Sequence, residues 1–298
     1  LEIKKSHYHK EPVEHILASN IFNLKEYDII LTTSWETKHG VSGHMFELIE
    51  YFMHLRFTKN LNVGILLSDG TTWNELYTAV VEKYELTQDE LVDLRHHTHE
   101  KFQPKCLLVN TLLIVDGSLR THNADIIANK IFLFRCAETD IVRDNVVVLQ
   151  DNDVYDPLPN SIHYKKKILF DRYRELDTTA PNTAMFYLTN NSRLCAITTD
   201  EMQLIVSKHK FDNYIALTNK DLQIDAIDSI IVPVRNLWNL FSTYIYTNTA
   251  LKFDCSPRFV AECEFYNKEV IYEIDYHDKG LVARLHDMKH GDIWLRAD

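Results

Sequence analysis

Glycine is scarce in this chain, with seven in 298 residues, and cysteine and positive charge are also in short supply. The five cysteines, Cys106, Cys136, Cys195, Cys255 and Cys263, are odd in number and show no CxxC spacing. They exclude a disulfide framework and a zinc ribbon, and imply reduced thiols in a cytoplasmic setting. With 32 Lys and Arg against 43 Asp and Glu, the net charge is −11. A generic polyanion binder is therefore excluded, and any contact with nucleic acid needs a local basic surface such as Lys165–Lys167 with Arg172 and Arg174. No apolar run is long enough to span a bilayer, and the start, Leu1-Glu2-Ile3-Lys4-Lys5-Ser6-His7, has no apolar signal core, so no stable membrane association is expected. HExxH, P-loop and GxSxG patterns are missing, which removes support for zinc hydrolysis, phosphate-loop chemistry and serine esterase chemistry.

What is present is a globular composition, 45% hydrophobic and 25% charged, in a length that suits one large or two medium domains. Apolar strands and amphipathic helices alternate. Tyr27–Thr33 reads as a buried strand, followed by Ser34–His44 as a loop and then a helix with Met45, Phe46, Leu48, Ile49, Phe52, Met53 and Leu55 at helical spacing. Glu47 and Glu50 are expected to face away from the core. Further strands are expected at Asn62–Leu67, Leu107–Val115, Ile131–Phe134 and Val146–Leu149, with a helix at Trp73–Glu82. Residues 151–179 lose the periodicity and mark a boundary. Strands then return at Thr183–Leu188, Tyr214–Leu217, Ile230–Val234 and Tyr244–Tyr246, with helices at Met202–Lys208 and Leu237–Phe241. This is an α/β, doubly wound pattern in two domains, 1–155 and 156–298. In such sheets ligands bind beyond the carboxyl ends of strands, which selects Asp116, Arg135 and Glu138.

The densest signal lies in Phe253-Asp254-Cys255-Ser256-Pro257-Arg258-Phe259-Val260-Ala261-Glu262-Cys263-Glu264-Phe265-Tyr266-Asn267-Lys268-Glu269-Val270-Ile271-Tyr272. Ser256 suits a helix cap and Pro257 a first helical position. Phe259, Val260, Cys263 and Phe265 can face a sheet, and Asp254 then sits at the positive end of the helix. A guanidinium beside free helix amides, as at Arg258, is a natural phosphate site.

This unit resembles the C-terminal domain of retaining GT-B glycosyltransferases, in which two carboxylates eight positions apart flank the start of a helix that feeds a strand. The resemblance is sharp over about twenty residues. The family's glycines stand here as Cys255, Pro257 and Asn267, and its first carboxylate, usually Glu, as Asp254. The resemblance implies two Rossmann-like domains facing a cleft. Asp254 would contact the transferred sugar, Glu262 the nucleotide ribose, and Cys255, Ser256 and Arg258 the sugar and phosphates. Arg193, in the loop after the first strand of the second domain, matches the family's pyrophosphate-binding cation. Gly40, Val41, Ser42, Gly43 and His44 match its glycine-rich loop; two of the seven glycines fall there. The implied reaction moves a sugar from a nucleotide-sugar donor to an acceptor hydroxyl without a metal. The general base is open among His44, Asp116 and Glu138.

The acceptor is also open. Few glycines with abundant Asn, Lys, Ile and Tyr fit an AT-rich genome such as that of many phages, and T-even-type enzymes glycosylate hydroxymethylated bases in DNA. Polysaccharide and small-molecule acceptors stand beside that reading, as does a nucleotide-sugar-binding protein without turnover. Two metal readings compete: Asp151-Asn152-Asp153 is similar to the DxD of GT-A glycosyltransferases, and His96 and His99 could share a helix face.

Overall fold

The computed structural model describes residues 21–33, 43–68, 71–100, 105–115, 125–134, 142–150, 158–163, 168–169, 180–187, 199–218, 227–231, 237–247 and 258–273. The chain forms two compact units. The first comprises Leu1–Gln150, Asp156–His163 and Leu169–Arg174, and the second the remainder. The sequence reading cuts the chain once, after residue 155. The chain instead returns to the first unit beyond that point, because strand Ser161–His163 hydrogen-bonds to Val146–Gln150.

The strands of the first unit are β1 (Ile21–Asn23), β2 (Ile29–Thr32), β3 (Val63–Leu66), β4 (Thr98–His99), β5 (Cys106–Ile114), β6 (Asp125–Phe134), β7 (Val146–Gln150) and β8 (Ser161–His163). All pair in parallel in the order β4-β3-β2-β5-β6-β7-β8, and β1 also pairs with β5. The side chains of β2 and β3 are buried throughout, as expected of parallel strands covered on both faces. β1 and β2 lie one after the other along β5. The Asn110 side chain closes the gap, donating to the carbonyls of Lys25 and Tyr27 at 2.8 Å each. β6 is longer than its apolar core suggests: Asp125–Lys130 alternates exposed and half-buried, and burial is complete only from Ile131, where β7 joins.

Helix α1 (Gly43–Met53) follows β2 and continues into a π-turn, His54–Thr58. Asn60 ends it in the left-handed region, φ 56°, with Leu61 N–H donating to the Leu55 carbonyl at 3.0 Å. Contrary to the amphipathic reading, Glu47 and Glu50 are both buried. The reason is a second layer: α2 (Trp73–Lys83) and the following Tyr84 pack over α1, and the Tyr84 hydroxyl donates to Glu50 Oε1 at 2.8 Å. A further helix, α3 (Gln88–His96), escapes the hydrophobic pattern because its mean hydropathy is low and Leu94 is its buried residue. Its signal is a cap, with Thr87 and Glu90 exchanging side-chain and backbone bonds.

The second unit contains β9 (Thr183–Tyr187), α4 (Thr199–Lys208), β10 (Asn213–Thr218), β11 (Asp228–Ile231), β12 (Thr243–Tyr246), α5 (Arg258–Phe265) and β13 (Glu269–Tyr272). Its parallel sheet has the order β11-β10-β9-β12-β13. Period-two alternation splits the core cleanly. Ala184, Phe186, Tyr214, Ala216 and Ile245 pack with Met202 and Ile205 of α4, whereas Met185, Ile215, Leu217, Tyr244 and Tyr246 pack with Phe241 and with Cys263 of α5. The helices therefore cover opposite faces, which makes the unit doubly wound. Leu237–Asn239 is a short 3-10 turn rather than the expected helix. Trp238 on that turn stacks on Tyr266 at 4.3 Å and on Phe259 at 5.1 Å between ring centroids. This aromatic contact replaces a helical turn as the cover of that face.

Candidate functional site

In a doubly wound sheet the ligand edge lies where the strand order reverses, between two neighbouring strands whose crossovers leave in opposite directions. In the second unit that point is between β9 and β12. β9 ends at Tyr187 and β12 at Tyr246, followed by buried Thr247. The chain beyond β9 carries Arg193, and the chain beyond β12 carries Asp254, Cys255 and Ser256. These four residues lie outside the described residues; the strands from which their segments leave are the two that flank the reversal. In the first unit the reversal is between β2 and β5. Gly40 and Ser42 follow β2, Asp116 follows Val115 at the end of β5, and Arg135 and Glu138 follow β6. All five lie outside the described residues, as do Asp151 and Asp153.

Helix α5 holds the described part of the second edge. Arg258 is its first residue and Glu262 stands one turn on, so both project from one helix face. Arg258 Nε donates to Glu262 Oε1 at 2.7 Å, with the side chains 8% and 6% exposed. The arrangement is not one that helix energetics favours. A cation sits at the positive end of the helix dipole, with the acid on its C-terminal side. Taking both charges out of water costs several kcal/mol that their attraction only partly returns (about neutral against an apolar pair). Arg258 and the amino end of α5 together make an electropositive point that suits an oxyanion.

At its other end α5 closes with Asn267 in the left-handed region, φ 55°. Lys268 N–H reaches the Cys263 carbonyl at 2.9 Å and Asn267 N–H the Glu264 carbonyl at 3.2 Å, the paired bonds of a Schellman cap. Asparagine tolerates this conformation better than other side chains do. Behind the helix, burial pushes the Cys263 thiol well above its ordinary range, and the nearby Glu262 adds to the effect. Cys263 is thus an inert packing residue. Tyr272 at the end of β13 is pushed up to about 12, chiefly by burial and then by Glu264.

No family model matches the chain, and no curated protein matches it in sequence. Among solved structures the chain is similar to the apo form of the lipopolysaccharide outer core galactosyltransferase WaaB, with a TM-score of 0.40 and 8% identity over 84% of this chain and 80% of that one. No residue correspondence follows from so distant a likeness.

In the first unit, α1 begins at Gly43 with His44 half-buried and Glu47 buried beneath it. The amino end of α2 is already occupied by the protein's own carboxylate. Glu100 Oε2 accepts from Trp73 N–H at 2.9 Å, its other oxygen pairs with Arg95 at 2.7 Å, and Thr72 caps the helix. An external phosphate would have to displace Glu100 there. His96 and His99 do not share a helix face: α3 ends at His96, and His99 lies on β4 with its ring directed to Tyr27. Among the described residues no group of three or more His, Cys, Asp or Glu is arranged to hold a metal. No helix among them is long and apolar enough to cross a membrane.

Two polar clusters have no counterpart in the sequence reading. Glu273, just after β13, accepts from Lys208 Nζ at 2.8 Å and pairs with His209 Nε2 at 2.7 Å. Burial alone would raise its pKa, but the bonds from Lys208 and His209 outweigh burial and hold the carboxyl below the ordinary range. The other cluster joins Tyr27, Arg56, Asp93, His97 and His99 across four elements. Asp93 and His97 stand at i and i+4, but the bonds from Arg56 and Tyr27 and those between Lys208, His209 and Glu273 join residues tens of positions apart, which no spacing signals.

Proposed function

We propose that this protein is a GT-B-type glycosyltransferase that moves a sugar from a nucleotide-sugar donor to an acceptor hydroxyl. The observation that carries the reading is the topology of the second unit: the segments bearing Arg193 and Asp254, and the helix opening on Arg258, all leave from the two strands that flank the reversal of strand order. Diphosphate would bind at Arg193, Arg258 and the amino end of α5, Asp254 would orient the sugar, and Glu262 would accept from the ribose hydroxyls. As the bond to the leaving diphosphate breaks, the sugar becomes oxocarbenium-like and negative charge grows on the phosphate. Fixed positive charge at that point lowers the barrier, typically by a few kcal/mol for each well-aimed donor. A phosphate also competes with Glu262 for Arg258, so donor binding would free the carboxylate for the ribose. The general base is open among His44, Asp116 and Glu138.

The acceptor we propose is a hydroxymethylated base in DNA. The support is compositional: glycine scarcity with abundant Asn, Lys, Ile and Tyr, and the basic residues Lys165–Lys167, Arg172 and Arg174 within an acidic chain.

The test is a thermal-shift panel of UDP, GDP, ADP and CMP sugars with and without EDTA, followed by transfer assays on hydroxymethylated DNA, polysaccharide and small-molecule hydroxyls. A shift with one nucleotide that survives EDTA and disappears in Glu262→Gln supports the site. Loss of the shift in EDTA would instead favour metal chemistry at Asp151 and Asp153. Binding without transfer to any acceptor would leave a nucleotide-sugar-binding protein, and no shift at all would sink the reading.

A further inference from the structure

Tyr27 leads into β2, and its ring passes directly over Gly64 of β3, where a Cβ would stand 3.1 Å from the ring. The hydroxyl thereby reaches β4, lying 3.3 Å from His97 Nδ1 and 3.1 Å from His99 Nε2. Phe22 packs edge-on against His99, and Phe52 lies beside His97. On the far side of His97, Arg56 of the π-turn grips Asp93 of α3 through Nε and Nη2 at 2.9 and 3.0 Å, and Nη2 also stands 3.1 Å from His97 Nε2.

The direction of every hydrogen in this chain follows from one constraint: a guanidinium has donors and no acceptor. His97 Nε2 must accept from Arg56, so the neutral ring carries its hydrogen on Nδ1 and donates to the Tyr27 oxygen. Tyr27 then spends its single hydrogen on His99 Nε2, which must also be bare. One relay thus runs from Arg56 through His97 and Tyr27 to His99, and it is complete only when both histidines are neutral. Burial is the main factor lowering both histidine pKa values; next come Arg56 for His97 and the neighbouring imidazoles for His99, opposed by Asp93 and Glu26 respectively.

We propose that Tyr27, His97 and His99 form an acid-released clasp that fastens the α3–β4 edge of the first sheet to β2. A proton on His97 Nε2 must turn from Arg56 to Asp93 Oδ1, 3.4 Å away, the oxygen that Arg56 Nη2 already uses. A proton on His99 Nε2 aims a second donor at the Tyr27 oxygen and expels the hydroxyl hydrogen from the relay, in a residue only 5% exposed. The other ionisable groups around the clasp are Glu26 before β2, Arg56 on the π-turn, and Asp93 and His96 on α3; the acids soften the penalty and the cations deepen it. Beyond the clasp, Thr98 Oγ1 donates to the Leu94 carbonyl at 2.6 Å and Arg95 Nη1 to the Thr98 carbonyl at 3.2 Å, which tie β4 to α3 but not to β2. β4 is two residues long, and its contact with β3 includes Ile65 N–H to the His97 carbonyl at 2.8 Å and Leu67 N–H to the His99 carbonyl at 2.9 Å. Release also reaches the carboxyl edge, because Glu100, next to His99, holds the amino end of α2.

Long-range proton–nitrogen spectra of the full chain at neutral pH should show His97 and His99 both neutral with hydrogen on Nδ1; hydrogen on Nε2 of either overturns the relay. Hydrogen exchange, corrected for intrinsic rates, should show protection of Ile65 and Leu67 falling between about pH 7.5 and about pH 5.5, on the order of tenfold per unit for each proton taken up. Amides of β5 should not follow. Tyr27→Phe should lower protection already at neutral pH and shrink the acid step. His99→Gln, which keeps an acceptor facing Tyr27 but does not titrate, should stay protected and lose part of the step. Equal protection of the wild type at both pH values, or an undiminished step in both variants, would overturn the proposal.

Discussion

Arg56 and Arg258 each hold a carboxylate, under nearly opposite conditions. Arg56 meets Asp93 through two nitrogens, in side chains 27% and 26% exposed, and joins segments 37 residues apart. Arg258 meets Glu262 through Nε within a single helix turn, in side chains 8% and 6% exposed. The first pair closes tertiary structure, and its two-nitrogen fork outweighs the desolvation of Asp93, so its geometry works for stability. The second lies within one turn of a helix and carries the larger desolvation penalty. The contrast is between a pair that joins distant segments and a pair buried within one helix turn. The depth of burial of its charge pair is what sets α5 apart from the Arg56 pair.

Breaking the pairs should expose that difference. Glu262→Ala removes the carboxylate that the buried Arg258 Nε holds and should cost about 3–5 kcal/mol in denaturant unfolding, reported by Trp238 beside α5. Replacing both, Arg258→Met with Glu262→Leu, should return stability to within about 1 kcal/mol of the parent or exceed it, while abolishing the nucleotide-dependent thermal shift. A double variant as unstable as the single one would show that the pair is structural, and the argument for a site on α5 would fall.

On the Arg56 side the next largest effect is steric. A Cβ on residue 64 would stand 2.7 Å from Ile30 Cδ1, so Gly64→Ala should destabilise the first unit by about 1–3 kcal/mol and displace Tyr27 from the histidines. Unchanged melting would mean that Ile30 moves aside freely. Asp93→Asn should cost less, about 1 kcal/mol, because the fork is only partly buried, with about a quarter of each side chain exposed. It should also remove part of the acid sensitivity. Burial opposes ionisation of Asp93, but Arg56 and then the histidines prevail and hold its carboxyl below the ordinary 3.8. Its stabilisation is therefore present above about pH 4 and lost as pH falls further. His97 and His99, lowered from 6.5, act earlier. Below that value the unfolded chain binds protons that the folded one refuses, so stability falls with pH by at most about 1.4 kcal/mol per unit per proton. A stability profile flat from about pH 7 to about pH 5 would contradict the neutral assignments.

The parallel sheets were legible because their strands are apolar on both faces: Ile29–Thr32, Leu112–Ile114 and Val146–Leu149 announce themselves by composition alone. β4 is Thr98-His99 and owes its place to backbone bonds with β3, which no pattern of side chains encodes. Glu47 and Glu50 misled because an acidic residue on a helix is ordinarily solvated, whereas both are buried here and Glu50 lies against the Tyr84 hydroxyl that follows α2. In the candidate site, the position of Arg258 at a helix start was readable from Ser256 and Pro257, but its bond to Glu262 was not. Spacing of i and i+4 permits a contact, whereas burial decides that the two charges must satisfy one another.

The two ends of α5 offer the finest test. The Arg258 end is held against local preference, whereas the Asn267 end follows it, with the left-handed residue of a Schellman cap at φ 55°. If the cap serves only the fold, Asn267→Gly relieves the residual strain of a side chain in that region but loosens the unfolded chain. The net change should stay within about 0.5 kcal/mol. Asn267→Ala loses asparagine's tolerance of the conformation and should cost roughly 1 kcal/mol. Neither should alter the nucleotide-dependent shift by more than its stability change requires. A large loss of binding in Asn267→Gly at unchanged stability would place this loop in the site itself and erase the distinction between the ends.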